Sequence, residues 1–286
     1  MGCKMARQSD LIARVNALPP LSQLVSESQL YAKKSLGQNF LFDLNLTAKI
    51  ASKALGSEAT IIEVGPGPGG LTRALLTETD ADIIAIEKDR RAISFLDHLV
   101  EAADGKLTLS EDDALKAPLW TYGTAPRAIV ANLPYNIATT LLLKWLDNAQ
   151  EFSRFVLMFQ KEVAERICAT PSSAAYGRLS IISQWLAETE LLFDIPPEAF
   201  VPPPKITSSV VRLVPRAAPL FECDKATLEL VTAKAFSQRR KMMRASFKAY
   251  GGETMLKEVG IDPTIRPQDL EIEAFCALAR HLQGQI

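Results

Sequence analysis

Asn132-Leu133-Pro134-Tyr135 follows an apolar run and sets four residue types in an order suited to activating an aromatic amine. The lone pair of such an amine is delocalised into its ring. It becomes nucleophilic only where acceptors hold both N–H bonds and draw the pair back onto nitrogen. The Asn132 side-chain carbonyl and the Leu133 backbone carbonyl supply two acceptors, while Pro134 fixes the turn and has no N–H to compete for them. Tyr135 offers a ring on which a base drawn out of its stack can lie. Phe200, in the proline-rich stretch 199–205, is the candidate cover for the opposite face. The chemistry this implies is alkylation of the exocyclic N6 amino group of an adenine in a nucleic acid. It needs an activated alkyl donor held in line rather than a strong general base. No cysteine lies near these residues in sequence, which argues against a covalent enzyme intermediate.

A donor site is written earlier in the chain, at Glu63-Val64-Gly65-Pro66-Gly67-Pro68-Gly69-Gly70. Glycines at a strand-to-helix turn let a ligand approach the backbone closely. Gly65, Gly67 and Gly70 also satisfy the dinucleotide fingerprint, and Glu87 stands where that fold places its ribose-binding acid, so the loop alone is ambiguous. The two ligands differ in charge. A dinucleotide brings a pyrophosphate to the loop, whereas S-adenosylmethionine brings a cationic methionine end and no phosphate. Glu63 would repel the first and suit the second. Glu87 then faces a ribose diol with two acceptor oxygens, and Asp113 is placed to accept from the adenine amino group of the donor.

Elements able to hold these residues can be read from the periodicity. Apolar runs at 60–64, 83–86, 107–109, 127–131 and 155–159 predict strands, with helices expected over 71–78, 89–102 and 139–148. That alternation predicts a doubly wound α/β domain built on a parallel sheet. Two further strand-like stretches, 191–195 and 208–214, are expected to pair as a hairpin at one sheet edge. The three prolines at 202–204 exclude 199–205 from a central strand. Past residue 215 the chain favours helices, over 224–236 and 239–249, and predicts a small helical domain.

Composition sets the outer limits. The 286 residues carry a net charge of −1, with 48% hydrophobic and 23% charged residues, so any nucleic-acid footprint must be local. It is expected at Lys234, Arg239, Arg240, Lys241, Arg244 and Lys248, which lie in a stretch free of acidic residues. Cys3, Cys168, Cys223 and Cys276 are widely spaced, with only His98 and His281 as imidazole partners, which predicts neither zinc nor disulfides. No apolar run reaches the ~20 residues that span a bilayer, and no signal core opens the sequence. A cytoplasmic monomer without metal or membrane association is the expectation.

The chemistry-bearing motifs occur in one order with Leu36-Gly37-Gln38-Asn39-Phe40-Leu41, Gln160-Lys161-Glu162-Val163-Ala164-Glu165-Arg166, Tyr176-Gly177-Arg178-Leu179-Ser180 and Phe200-Val201-Pro202-Pro203-Pro204. From about Ala32 onward the chain resembles the ribosomal RNA adenine dimethyltransferases. The resemblance implies a Rossmann-like class I methyltransferase sheet with a small C-terminal helical domain. It also implies dimethylation of two adjacent adenosines near the 3′ end of small-subunit ribosomal RNA during ribosome assembly. It further implies that Asn39 and Leu41 contact S-adenosylmethionine beside Gly65, Glu87, Asp113 and Asn132. Asp112 stands where the family often has glycine or glutamine, and the family pattern points to Asp113 as the adenine partner. The expected division is an extension at 1–30, a catalytic domain at 31–216 and an RNA-docking domain at 217–286. Three alternatives share part of this pattern. They are the large-subunit enzymes of the macrolide-resistance type, DNA adenine methyltransferases, and an RNA-binding assembly or transcription factor without catalysis.

Overall fold

The computed structural model describes residues 2–28 and 39–285, so Leu36, Gly37 and Gln38 of the first family block lie outside the described residues. The strands are β1 (Phe40–Leu41), β2 (Thr60–Val64), β3 (Asp82–Glu87), β4 (Leu107–Glu111), β5 (Arg127–Asn132), β6 (Arg154–Gln160), β7 (Ala187–Ile195), β8 (Phe200–Val201) and β9 (Ser208–Pro215). The main sheet runs β4-β3-β2-β5-β6-β9-β7. Its first five strands pair in parallel, and β9 enters antiparallel to β6. The two stretches expected at an edge are there, with β7 outermost and β9 beside it. Strand β2 is buried along its whole length, as a parallel strand covered on both faces must be. Glu63 is the one charged side chain within it. Chain order reverses between β2 and β5, and the crevice at the carboxyl ends of strands around such a switch point is where doubly wound sheets bind ligands.

The helices are α1 (Gly2–Asn16), α2 (Leu21–Ser28), α3 (Leu44–Ser52), α4 (Gly70–Glu78), α5 (Arg90–Phe95), α6 (Asp97–Ala103), α7 (Tyr135–Leu146), α8 (Lys161–Cys168), α9 (Arg178–Leu186), α10 (Lys225–Phe236), α11 (Met243–Ser246), α12 (Gly252–Glu258) and α13 (Ile272–Leu282). The N-terminal extension packs on the catalytic unit. Helix α1 lies against α4 and α6 and buries Leu11 and Val15. Gln8 donates to the carbonyls of Leu76 and Thr79, and Arg73 of α4 donates to Pro19 at 2.9 Å. The single helix expected over 89–102 is two, α5 and α6, meeting at fully buried Leu96.

Two compact units divide the chain. One holds the residues up to Lys161 together with Glu190–Pro215. The other holds Glu162–Thr189 and everything from Arg216 onward. The boundary expected at 216/217 is therefore incomplete, because α8 and α9 group with the C-terminal helices. Within that second unit an aromatic row explains the grouping: Tyr176 meets Phe236 edge-on, and Phe236 stacks on Phe275 of α13 at 5.9 Å. Periodicity along the chain carries no trace of such a contact.

The helix expected over 239–249 also fails to form. Residues 237–240 are a turn, and only α11 is α-helical in that stretch. The cause is competition for backbone donors: Met243 N–H goes to Ile265 O at 2.8 Å and Arg244 N–H to Pro263 O at 3.0 Å. These tertiary bonds take the donors that helix propagation would have used.

Candidate functional site

A pocket of about 460 Å³ opens at the carboxyl ends of β2, β3 and β5. Its wall includes Asn39 and Leu41, Glu63, Gly65 and Gly67, Glu87, Asp113, and Asn132 with Leu133 and Pro134. Every residue expected to hold the donor thus lies on one cavity.

The loop between β2 and α4 forms the floor. Gly65 has φ +72°, a conformation L side chains rarely adopt, and nothing stands within 4 Å of the position its Cβ would take. Backbone is thereby bared to whatever occupies the pocket. Gly67, at φ +52°, has the Phe40 ring 3.1 Å from its missing Cβ, so any side chain there would displace that ring. Phe40 belongs to β1, which pairs with β8 in the register Phe40↔Val201 and Leu41↔Phe200. This short ladder straps the 39–41 segment across the loop.

Glu63 is 1% exposed, and its Oε2 has no hydrogen-bond partner. Burial, with a smaller contribution from the Glu87 charge, pushes its carboxyl up to about 8. A polar atom left in this condition at a pocket wall is matched to a cationic ligand group. Glu87 is also buried, which raises its pKa. Its Oε1 accepts from the backbone N–H groups of Lys88 and Asp89, both at 2.8 Å, which orients the carboxylate on the pocket wall.

Asp112 and Asp113 differ in their commitments. Asp112 accepts from Tyr122 Oη at 2.7 Å and from the Asp113 N–H, so its two oxygens brace the loop. Asp113 accepts from the Leu115 N–H at 3.0 Å and pairs with exposed Lys88 at 2.8 Å. That ammonium holds its carboxyl below the usual carboxylate range. An exposed pair of this kind exchanges readily with another donor, which makes Asp113 the freer of the two.

At the acceptor side, Asn132 Nδ2 donates to the Asn39 carbonyl at 3.0 Å. That bond fixes the amide so that Oδ1 is the atom available as an acceptor. Tyr135 starts α7, and its hydroxyl shares a 2.6 Å hydrogen bond with buried Ser208 on β9. The bond holds the half-buried ring from its far end. No sequence signal marked Ser208, because its partner lies 73 positions away. Phe200 is placed otherwise than expected: it is 1% exposed and packs in the core cluster that includes Leu41, Ile195 and Val210. Its β8 backbone is paired to β1, which turns the ring inward. In this structure it presents no open face to a base.

The expected basic surface lies in the second unit and is smaller than its residue count suggests. Arg239 donates to the carbonyls of Ser173 and Ala174, Arg244 pairs with Glu253 at 3.8 Å, and Lys234 lies 5.6 Å from the Tyr250 ring centroid. Arg240, Lys241 and Lys248 are exposed and form no ion pair among the described residues. Among the described residues no His, Cys, Asp and Glu cluster could hold a metal, and no helix is long and apolar enough to cross a membrane.

Comparison with known proteins bears on the family and the fold. The family described as ribosomal RNA adenine dimethylase matches residues 29–283. The chain is 53% identical over 271 residues to ribosomal RNA small subunit methyltransferase A of Paramagnetospirillum magneticum, covering 94% of this chain and 96% of that one. It is also 53% identical to the protein of the same name from Rhodospirillum rubrum, covering 93% of each. Among solved structures, a dimethyladenosine transferase from Plasmodium falciparum superposes with a TM-score of 0.74 at 26% identity, covering 86% of this chain and 98% of that one. The 23S rRNA methyltransferase ErmE superposes at 0.65, also at 26% identity, covering 86% of this chain and all of that one. With the family match running through both units and a loop, acidic wall and acceptor turn gathered on one pocket, the chain belongs to the ribosomal RNA adenine dimethylase family.

Proposed function

We propose that the protein transfers methyl groups from S-adenosylmethionine to the N6 amino groups of two adjacent adenosines near the 3′ end of small-subunit ribosomal RNA. The observation that carries this reading is the Asn132 amide, oriented by Asn39 with its carbonyl free beside the glycine-loop pocket. The residues present fit the donor: Gly65 bares backbone, Glu63 has an unpartnered oxygen, and Glu87 is oriented by backbone on the pocket wall. Glu63 would bind the methionine amino group, Glu87 the ribose diol and Asp113 the adenine amine. S-adenosylmethionine supplies a methyl group already activated on a sulfonium.

The chain's own work is on the acceptor. In the first transfer Asn132 Oδ1 and the Leu133 carbonyl take the two amino N–H bonds and return the nitrogen lone pair to the in-line direction; in the second, the monomethylated nitrogen has one N–H left for them. Each transfer would exchange the donor's C–S bond for a new N–C bond, and the alkylated nitrogen would lose its proton to water past the same carbonyls. Tyr135, anchored by Ser208, supplies the stacking face. Phe200 completes the stack only if the β1–β8 strap shifts when RNA binds.

The sequence relatives favour the small-subunit substrate over its large-subunit counterpart, because fold likeness to ErmE is shared by both classes. The test is transfer of labelled methyl to small subunits prepared without the modification, followed by nucleoside analysis. N6,N6-dimethyladenosine is expected. Label only in large-subunit RNA or in DNA would move the substrate, and cofactor binding without label would leave an assembly factor. The protein acts as a monomer in the cytoplasm, where subunits assemble.

The second unit docks RNA through Arg240, Lys241 and Lys248. Changing these three to alanine is expected to weaken RNA binding and to reduce the slope of log affinity against log salt by about 2 to 3. Arg239 is excluded from that set because its removal would strand the Ser173 and Ala174 carbonyls. A salt slope unchanged in the triple variant would take this surface out of the interface.

A further inference from the structure

Lys144 lies in the last turn of α7, the helix whose first residue is Tyr135. Its ammonium donates to three carbonyls of one loop: Ala114 at 3.2 Å, Leu115 at 2.8 Å and Ala117 at 2.9 Å. An ammonium has three N–H bonds, and one short segment uses all of them. The Trp120 ring stands 5.9 Å from the same nitrogen. Ala114 and Ala117 are buried, so their converging carbonyls would lose their donor to no accessible solvent if Lys144 were removed. Asp112, Asp113, Ala114 and Leu115 from this loop line the donor pocket, at the end assigned to adenine.

We propose that Lys144 is a positioning residue that clamps the 113–117 loop to α7, so that one helix sets both the acceptor turn at its start and the adenine side of the donor site near its end. This rests on the reading of 112–115 as the adenine end of the pocket. The loop has few other fixed points. Asp113 O accepts from the Lys116 and Ala117 N–H groups, which shape the turn internally, and the Lys88–Asp113 pair is exposed. The loop's start is held by the Asp112 N–H bond to Glu87 O at the end of β3, and Lys144 is the tie that joins its 114–117 carbonyls to α7. A neutral side chain of the same length would leave the rest of the pocket wall in place and let the adenine end of the loop wander.

The experiment is titration of S-adenosylhomocysteine, and of its analogue carrying hypoxanthine in place of adenine, into wild type, Lys144→Met and Lys144→Gln. Lys144→Met is expected to weaken the adenine ligand roughly tenfold, the scale of one charged hydrogen bond. The hypoxanthine analogue should change far less, so that discrimination between the bases collapses, while kcat at saturating donor stays within about twofold. Lys144→Gln, which keeps two N–H bonds on a shorter arm, serves if the methionine variant does not fold. Lys144→Arg should recover only part of the affinity, because a planar fork cannot send three N–H bonds into one loop. Wild-type discrimination retained in the variants, with only a lower melting temperature, would overturn the proposal. Absence of base discrimination in the wild type would instead overturn the placement of adenine, and the proposal with it.

Discussion

Asn132→Ala is expected to cut the transfer rate by roughly 10²- to 10³-fold, the loss seen when one preorganised hydrogen-bonding group is removed from a developing charge. Affinity for S-adenosylmethionine should fall only a few fold, since the pocket loses the tie to Asn39 and little else. The separation follows from which atom does what. Nδ2 is spent on the Asn39 carbonyl, a structural bond within the donor wall, whereas Oδ1 has no task until an amine arrives. Asn132→Asp keeps an acceptor but loses the donor to Asn39. It should fall between wild type and alanine in rate while showing the larger loss of donor affinity, because a carboxylate then faces a carbonyl. Single-turnover transfer and equilibrium titration of each variant separate the two effects. A matching loss of rate and donor affinity in Asn132→Ala would remove the division of labour.

The parts of this site that were legible in the sequence are those written locally. Glu63 to Gly70 and Asn132 to Tyr135 are each contiguous, each closes a strand, and the strands carrying them are continuous apolar runs whose parallel pairing follows from the helices between them. What stayed hidden depends on contacts distant in sequence. Ser208 holds Tyr135, the strap formed by β1 and β8 presses Phe40 on the glycine loop, and Lys144 clamps the loop after β4. None of these partners has a characteristic residue type. Phe200 has the chemistry of a stacking ring and prolines beside it, but strand pairing with Leu41 decides where its ring goes. The basic stretch 234–248 is smaller as a surface than as a sequence for a similar reason. Counting charges could not reveal that the Ser173 and Ala174 carbonyls claim Arg239, or that Glu253 claims Arg244.

Glu63 gives the second large effect, and it depends on pH. In the ligand-free protein its carboxyl is pushed up to about 8 from an ordinary 4.5, so the folded chain holds a proton that the unfolded chain has released between those values. The stability this contributes is fully present below about 4.5, erodes as pH rises, and is lost once pH passes about 8. A cationic amino group brought against Oε2 reverses the balance by favouring the carboxylate. Binding of S-adenosylmethionine at pH 6.5 is therefore expected to release close to one proton, and affinity to rise by roughly tenfold between pH 6.5 and 8, levelling off near pH 8 where the ligand's own α-amino group, with a pKa of about 8, is half neutral. Calorimetry in two buffers of different ionisation enthalpy reads the proton directly. Glu63→Gln should abolish the proton release, flatten the affinity profile over that range and weaken binding by about 100-fold at pH 8, the scale of a buried charge-assisted bond. The same variant should melt higher than wild type above pH 8 when no ligand is present, because it removes the cost of an ionised carboxylate at a site 1% exposed. Proton release that persists in Glu63→Gln would assign the linkage to another group, with buried Glu87 the next to examine.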